Sequence, residues 1–160
     1  MLDGAIEVLR DGGCDPLIAV VRAGTAVAGV RLVVNPDPDR GMRSSLALAV
    51  EAAASADVDA LALLLVDVPG VGAGAVRAVV RAWRPGRIAV ARYRSRRGHP
   101  TVMSVELWRS ALVTAHRDEG ARALLASRPD LVDEVAVAGD GTDLDTPADL
   151  ERWRSQRSQR

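Results

Sequence analysis

Short apolar runs and helical-period stretches alternate along the whole chain. Ala5, Ile6, Val8 and Leu9 recur at helical spacing, with Asp3 placed as an N-cap and Gly12-Gly13 as the stop. Residues 17–21 are wholly apolar and rich in β-branched side chains, which predicts a strand buried on both faces, and residues 31–34 repeat that pattern. Residues 43–54 read as a helix. Residues 60–66 carry the strongest strand signal in the chain, and Asp67-Val68-Pro69 stops it. Residues 74–83 are helical again. Residues 88–92 and 100–103 predict two strands joined by an arginine-rich loop. Helices over 105–113 and 119–126, a strand over 134–137 and a closing helix over 147–154 complete the pattern.

The predicted order is therefore α-β-β-α-β-α-β-β-α-α-β-α. Strands that alternate with amphipathic helices imply a Rossmann-like, three-layer α/β/α fold around a mostly parallel sheet. Residues 1–154 form one domain, and the polar residues 155–160 are expected to be a disordered tail. An open parallel sheet binds its ligand beyond the carboxyl ends of its strands. The loops after residues 34, 66 and 137 are thus the places to look for chemistry.

Composition narrows the reading. Of 160 residues, 48% are hydrophobic, but there are only three Trp, one Tyr and no Phe, so the core must be built from Ala, Val and Leu. Basic and acidic residues balance at 21 each, which argues against a nucleic-acid partner. All the basic residues except the two His are Arg. A lone Cys14 excludes an internal disulfide. No apolar stretch is long enough for a membrane span, and Asp3 and Glu7 interrupt any signal-peptide pattern, so a cytoplasmic location is the default.

Four segments hold the unusual polar residues. The stretch Asn35-Pro-Asp-Pro-Asp-Arg-Gly41-Met42-Arg43-Ser44-Ser45-Leu46 follows a strand and opens a helix. It is either a proline-rich turn capped by Ser44 or Ser45, or a set of amides and hydroxyls for a polar ligand group. Asp67 closes the most apolar strand, where it could solvate the loop, cap a helix or bind a hard metal ion. In Asp143-Leu144-Asp145-Thr146-Pro147-Ala148-Asp149, capping of the last helix accounts for Thr146, Pro147 and Asp149 and leaves Asp143 and Asp145 over. The arginine-rich run from Arg92 to Pro100 is either a solvated hairpin turn with Gly98 at positive φ, or a cationic face for a phosphorylated substrate.

As an ordered set these segments resemble the MobA-like nucleotidyltransferases. The resemblance rests on Asn35…Gly41-Met42-x-Ser44-Ser45-Leu46, Leu65-Val66-Asp67-x-Pro69, Arg97-Gly98-His99-Pro100, Asp118-x-Gly120-Ala121-Arg122 and Asp143-Leu144-Asp145-Thr146-Pro147. The Gly-His-Pro and Asp-x-Gly-Ala-Arg elements are most similar to the molybdenum-cofactor cytidylyltransferase branch. That resemblance implies a Mg²⁺-dependent transfer of a nucleoside monophosphate, CMP from CTP, to the phosphate of molybdopterin, with release of pyrophosphate. It implies Asp67 and Asp145 as catalytic metal ligands, with Asp143 the alternative to Asp145. It places Asn35, Gly41, Met42, Ser44 and Ser45 against the nucleotide, and Arg97, Gly98, His99, Pro100 and Arg122 toward the acceptor. A molybdoenzyme or cofactor chaperone is the partner such an enzyme would serve. A guanylyltransferase of the same fold and a catalytically inactive interaction module are the alternatives.

One departure from the family stands out. Its members open with a strand and a glycine-rich, Arg- and Lys-bearing loop that grips the triphosphate. Met1-Leu2-Asp3 corresponds to the start of the helix after that loop, and the chain contains no Lys. The expectation is a domain that lacks its first strand, with the true start lying upstream.

Overall fold

The structure, a computed structural model, describes residues 1–114, 121–144 and 146–157. Its elements follow the predicted order: α1 (Leu2–Asp11), β1 (Ile18–Val21), β2 (Arg31–Val34), α2 (Met42–Ala54), β3 (Leu61–Leu63), α3 (Ala73–Ala82), β4 (Ile88–Tyr93), β5 (Arg96–Met103), α4 (Val105–Thr114), α5 (Arg122–Ser127), β6 (Val132–Ala136) and α6 (Pro147–Arg157). Single 3₁₀ turns at Pro38–Arg40 and Pro129–Leu131 precede α2 and β6. Asp3 lies inside the first turn of α1, whose N-cap is Met1. Thr146 and Asp149 do cap α6: Asp149 Oδ2 accepts from the Thr146 amide at 2.9 Å, and Thr146 Oγ1 accepts from the Asp149 amide at 3.2 Å. α6 continues to Arg157, three residues beyond its expected end.

The sheet is not mostly parallel, and that expectation is corrected. The strands form two groups: β1 and β2 pair in parallel, and the second group runs in the order β3-β5-β4-β6. In that group β5 is antiparallel to both β3 and β4, and only β4 and β6 are parallel. The cause is local. β4 and β5 are joined by Arg94 and Ser95 alone, and so short a connection permits only an antiparallel pair. The residue at positive φ in this turn is Arg94 (54°), not Gly98.

β4 is the centre of the molecule, paired on both edges. Its side chains alternate between two cores. Ile88 and Val90 pack with Leu46, Val50, Met103 and Trp108 on the α2 and α4 side. Ala89, Ala91 and Tyr93 pack with Val76, Val79 and Val102 on the α3 side. Trp108 is fully buried and donates from Nε1 to the Leu61 carbonyl at 2.9 Å, which fastens α4 to β3. This arrangement yields the three layers that the sequence predicted.

The most apolar segment is not the most buried one. β3 spans only three residues, and all three are half-buried. Among the described residues, β1 and β3 each have a strand partner on one edge alone. Residues of β1 and β3, with Ala49 and Ala53 of α2 and Val80 of α3, line a cavity of about 470 Å³.

Candidate active site at the strand ends

Asn35 organises the end of β2. It is only 5% exposed, and its amide is fully used. Nδ2 donates to Ser44 Oγ at 3.0 Å and to Ser45 Oγ at 2.9 Å, while Oδ1 accepts from the Asp37 amide at 3.0 Å. Gly41 sits at φ 90° and ψ 178°, a backbone setting that favours glycine, and it is the N-cap of α2. Ser44 and Ser45 therefore do not cap α2; they bind the Asn35 side chain. The structure thus brings Asn35, Gly41, Ser44 and Ser45 together, with Met42 beside them and 40% exposed. Asn35, Arg43 and Ser44 line a cavity of about 570 Å³.

A second group forms after β3. The Leu144 amide donates to the Asp67 carbonyl at 2.8 Å, and the Asp140 amide donates to the Gly70 carbonyl at 3.1 Å. The loop after β3 is thereby tied to the loop after β6. A Cβ on Gly70 would lie 2.4 Å from the Asp140 carbonyl oxygen, so this approach requires glycine.

His99 reaches this junction through an irregularity in β5. In the β4–β5 register Val90 faces Thr101, yet the next residue, Ala91, faces Gly98. His99 and Pro100 are the surplus residues, and such a bulge re-aims side chains. His99 Nδ1 lies 3.2 Å from the Leu63 carbonyl oxygen. Burial pushes the imidazole below its ordinary pKa, partly offset by that carbonyl and by the negative charges of Asp143 and Asp67. His99 is consequently neutral at neutral pH and stands within the field of both carboxylates.

The remaining candidates are distributed differently. Arg97 donates from Nε to Glu134 Oε1 at 2.6 Å, and Arg92 joins the same carboxylate at 3.4 Å, so Arg97 is part of a three-residue ion cluster. Gly98 packs against the Tyr93 ring, and Pro100 is fully buried. Arg122 lies exposed at the start of α5, which packs on α4. Asp145 and the Asp118-x-Gly120 part of its motif lie outside the described residues. Among the described residues no three His, Cys, Asp or Glu side chains cluster in a way that could hold a metal ion by themselves.

Residues 1–135 match the MobA-like NTP transferase domain. The chain belongs to the MobA-like NTP transferase family. A curated relative, nicotine blue oxidoreductase from Paenarthrobacter nicotinovorans, is 34% identical over 168 residues, spanning 95% of this chain and 81% of the relative. Among solved structures, a nucleotidyl transferase from Methanothermobacter superposes with a TM-score of 0.81 at 17% identity, over 97% of this chain and 79% of its own, a likeness of fold. The manganese complex of Rv0371c from Mycobacterium tuberculosis H37Rv is 30% identical, with a TM-score of 0.75 over 94% of this chain and 83% of its own.

Sequence reasoning missed the wall that residues 139–142 build against Gly70 and Tyr93. Tyr93, Gly70 and residues 139–142 looked unremarkable one at a time. The signal was the spacing of Gly139 and Gly141, which gains meaning only once β6 lies beside β4. No helix among the described residues is long and apolar enough to cross a membrane.

Proposed function

We propose that this chain transfers a nucleoside monophosphate, CMP from CTP, to the phosphate of a molybdopterin-type acceptor. The observation that carries the reading is the junction of Asp67, His99 and the 140s loop, where two carboxylates act on one neutral imidazole. The metal donors fit. Mg²⁺ takes one or two carboxylates plus substrate phosphates and keeps several waters, so Asp67 with one carboxylate of the Asp143 and Asp145 pair is a sufficient set. Manganese in the complex of the 30%-identical relative supports a divalent cation of this kind.

When bound, the cation would neutralise phosphate charge. The chain's own residues hold and orient the reactants. Asn35 fixes the loop after β2, against which the nucleotide would lie. His99 occupies the floor beside the carboxylates as a neutral group and adds no competing positive charge. In the transfer, an oxygen of the acceptor phosphate forms a bond to the α-phosphorus, the α–β bridging P–O bond breaks, and pyrophosphate leaves. Such chemistry demands positioning more than a protein nucleophile. Pyrophosphate release with CTP, GTP, ATP and UTP, each with molybdopterin and Mg²⁺, tests the reading. CTP should lead; release with GTP alone would assign a guanylyltransferase.

The kinship with nicotine blue oxidoreductase supports a second reading, in which the same fold serves redox chemistry on an organic dye. Turnover of nicotine blue by this chain without any nucleoside triphosphate would favour it over the transferase.

A further inference from the structure

A cavity of about 580 Å³ lies under the β4–β5 turn, bounded by Tyr93, Arg94, Arg96, Asp140, Thr142 and Trp153 among others. That volume is in the range of small-molecule sites. Its floor is fixed. Tyr93 is 8% exposed, and its hydroxyl donates to the His99 carbonyl at 2.7 Å. A Cβ on Gly141 would come within 2.5 Å of the Tyr93 ring, so the 139–142 wall is seated directly on the floor. The Val137 amide donates to the Arg92 carbonyl at 3.1 Å and closes the same wall onto β4.

Charge over this floor is unbalanced. Glu134 occupies Arg92 and Arg97. Among the described residues, the side chains of Arg94 and Arg96 make no hydrogen bond or ion pair. The facing carboxylate, Asp140, accepts from the Thr142 amide at 2.9 Å and from Thr142 Oγ1 at 2.6 Å. Those bonds, with Arg94 and Arg96 nearby, hold its pKa below the usual carboxylate range. Two exposed guanidinium forks over a rigid, concave, partly aromatic surface suit a doubly charged tetrahedral oxyanion attached to an organic body, because the planar fork matches phosphate geometry.

We propose that this cavity binds an organic phosphate monoester through Arg94 and Arg96, its carbon skeleton resting toward Trp153. Its service as the acceptor subsite rests on the transferase reading above; anion binding itself does not. The shared element is His99, whose carbonyl receives the Tyr93 hydroxyl and whose ring Nδ1 lies 3.2 Å from the Leu63 carbonyl oxygen at the end of β3.

Calorimetric titration of the full chain with phenyl phosphate at low salt tests this. Binding is expected, with Kd raised tenfold or more in the Arg94→Gln/Arg96→Gln double variant and raised by added salt. Benzoate should bind more weakly than phenyl phosphate. Both arginines are exposed, so the variant keeps its fold, and far-UV circular dichroism checks that. Asp67→Ala should leave phenyl phosphate binding within twofold while abolishing Mn²⁺-CTP binding, and the arginine variant should do the reverse. Wild-type Kd for phenyl phosphate in the double variant, absence of binding to the wild type, or equal affinity for benzoate overturns the proposal. Phenyl phosphate binding without any Mn²⁺-CTP binding would instead overturn the transferase reading and leave the anion site standing.

Discussion

Tyr93 is the only tyrosine in the chain, so its ionisation can be read without interference. Burial, then the nearby Asp140 charge, pushes its pKa up to about 12. A group whose folded pKa exceeds its unfolded value contributes stability that is complete below the unfolded pKa and lost as pH rises toward the folded one. For Tyr93 that window runs from the ordinary value of 10.0 to about 12. Absorbance at the phenolate band should therefore titrate near the upper end of this window in the folded protein, and thermal stability should fall across it. Tyr93→Phe should remove that fall. A titration midpoint at the ordinary value would contradict the buried floor. At Asn35 the matter is one of satisfied polar atoms. Replacement by alanine deletes two hydrogen bonds from the end of β2 to the start of α2 and a third to the Asp37 amide in the loop between them. With the site almost closed to solvent, Asn35→Ala should cost roughly 1–3 kcal/mol in chemical denaturation. A change within error would show that solvent takes over those bonds.

The β4–β5 hairpin sets the architecture of the site. Its two-residue turn forces the antiparallel pair, and its bulge sends His99 toward the end of β3. Neither feature was legible beforehand. The turn lacks the Asn-Gly or Asp-Gly signal of tight hairpins, and Gly98 drew the reading toward a longer loop. The elements themselves were legible, because apolar runs and helical periods are local properties. Sheet direction depends on partners far along the chain, and the short β3 shows the limit: residues 60–66 read as the best strand, but only three of them pair. Asp143 and Asp145 stood out in the sequence only as leftovers that capping could not explain, and Asp145 lies outside the described residues. The wall at residues 139–142 was not legible, since it exists only where β6 docks. That docking is testable at Gly141. Gly141→Ala drives a Cβ into the Tyr93 ring and should destabilise the protein by about 1–3 kcal/mol. Unchanged stability would mean that the wall swings away freely.

Across the whole molecule, protection should follow strand pairing. β4 is paired on both edges and buried throughout its first four residues, whereas β1 and β3 border the cavity between the two strand groups. Local opening free energies range from near zero to the global value. Amides of β4 should exchange about a hundredfold or more slowly than those of β1 and β3, the factor expected for roughly 3 kcal/mol of differential opening. Uniform protection would contradict two separately paired groups. Asn35 and its serines stand at the end of one group, Asp67 and His99 at the other, and a nucleotide transferase of this family would work between them.

The central claim is Asp67-dependent nucleotidyl transfer, and one assay addresses it most directly. Pyrophosphate release is followed with CTP, Mg²⁺ and molybdopterin, comparing wild type with Asp67→Asn. The account predicts cation-dependent release in the wild type and a loss of roughly a hundredfold or more in the variant, the scale of removing one group that stabilises transition-state charge. Release that persists undiminished in Asp67→Asn, or none from any of the four triphosphates, would contradict it.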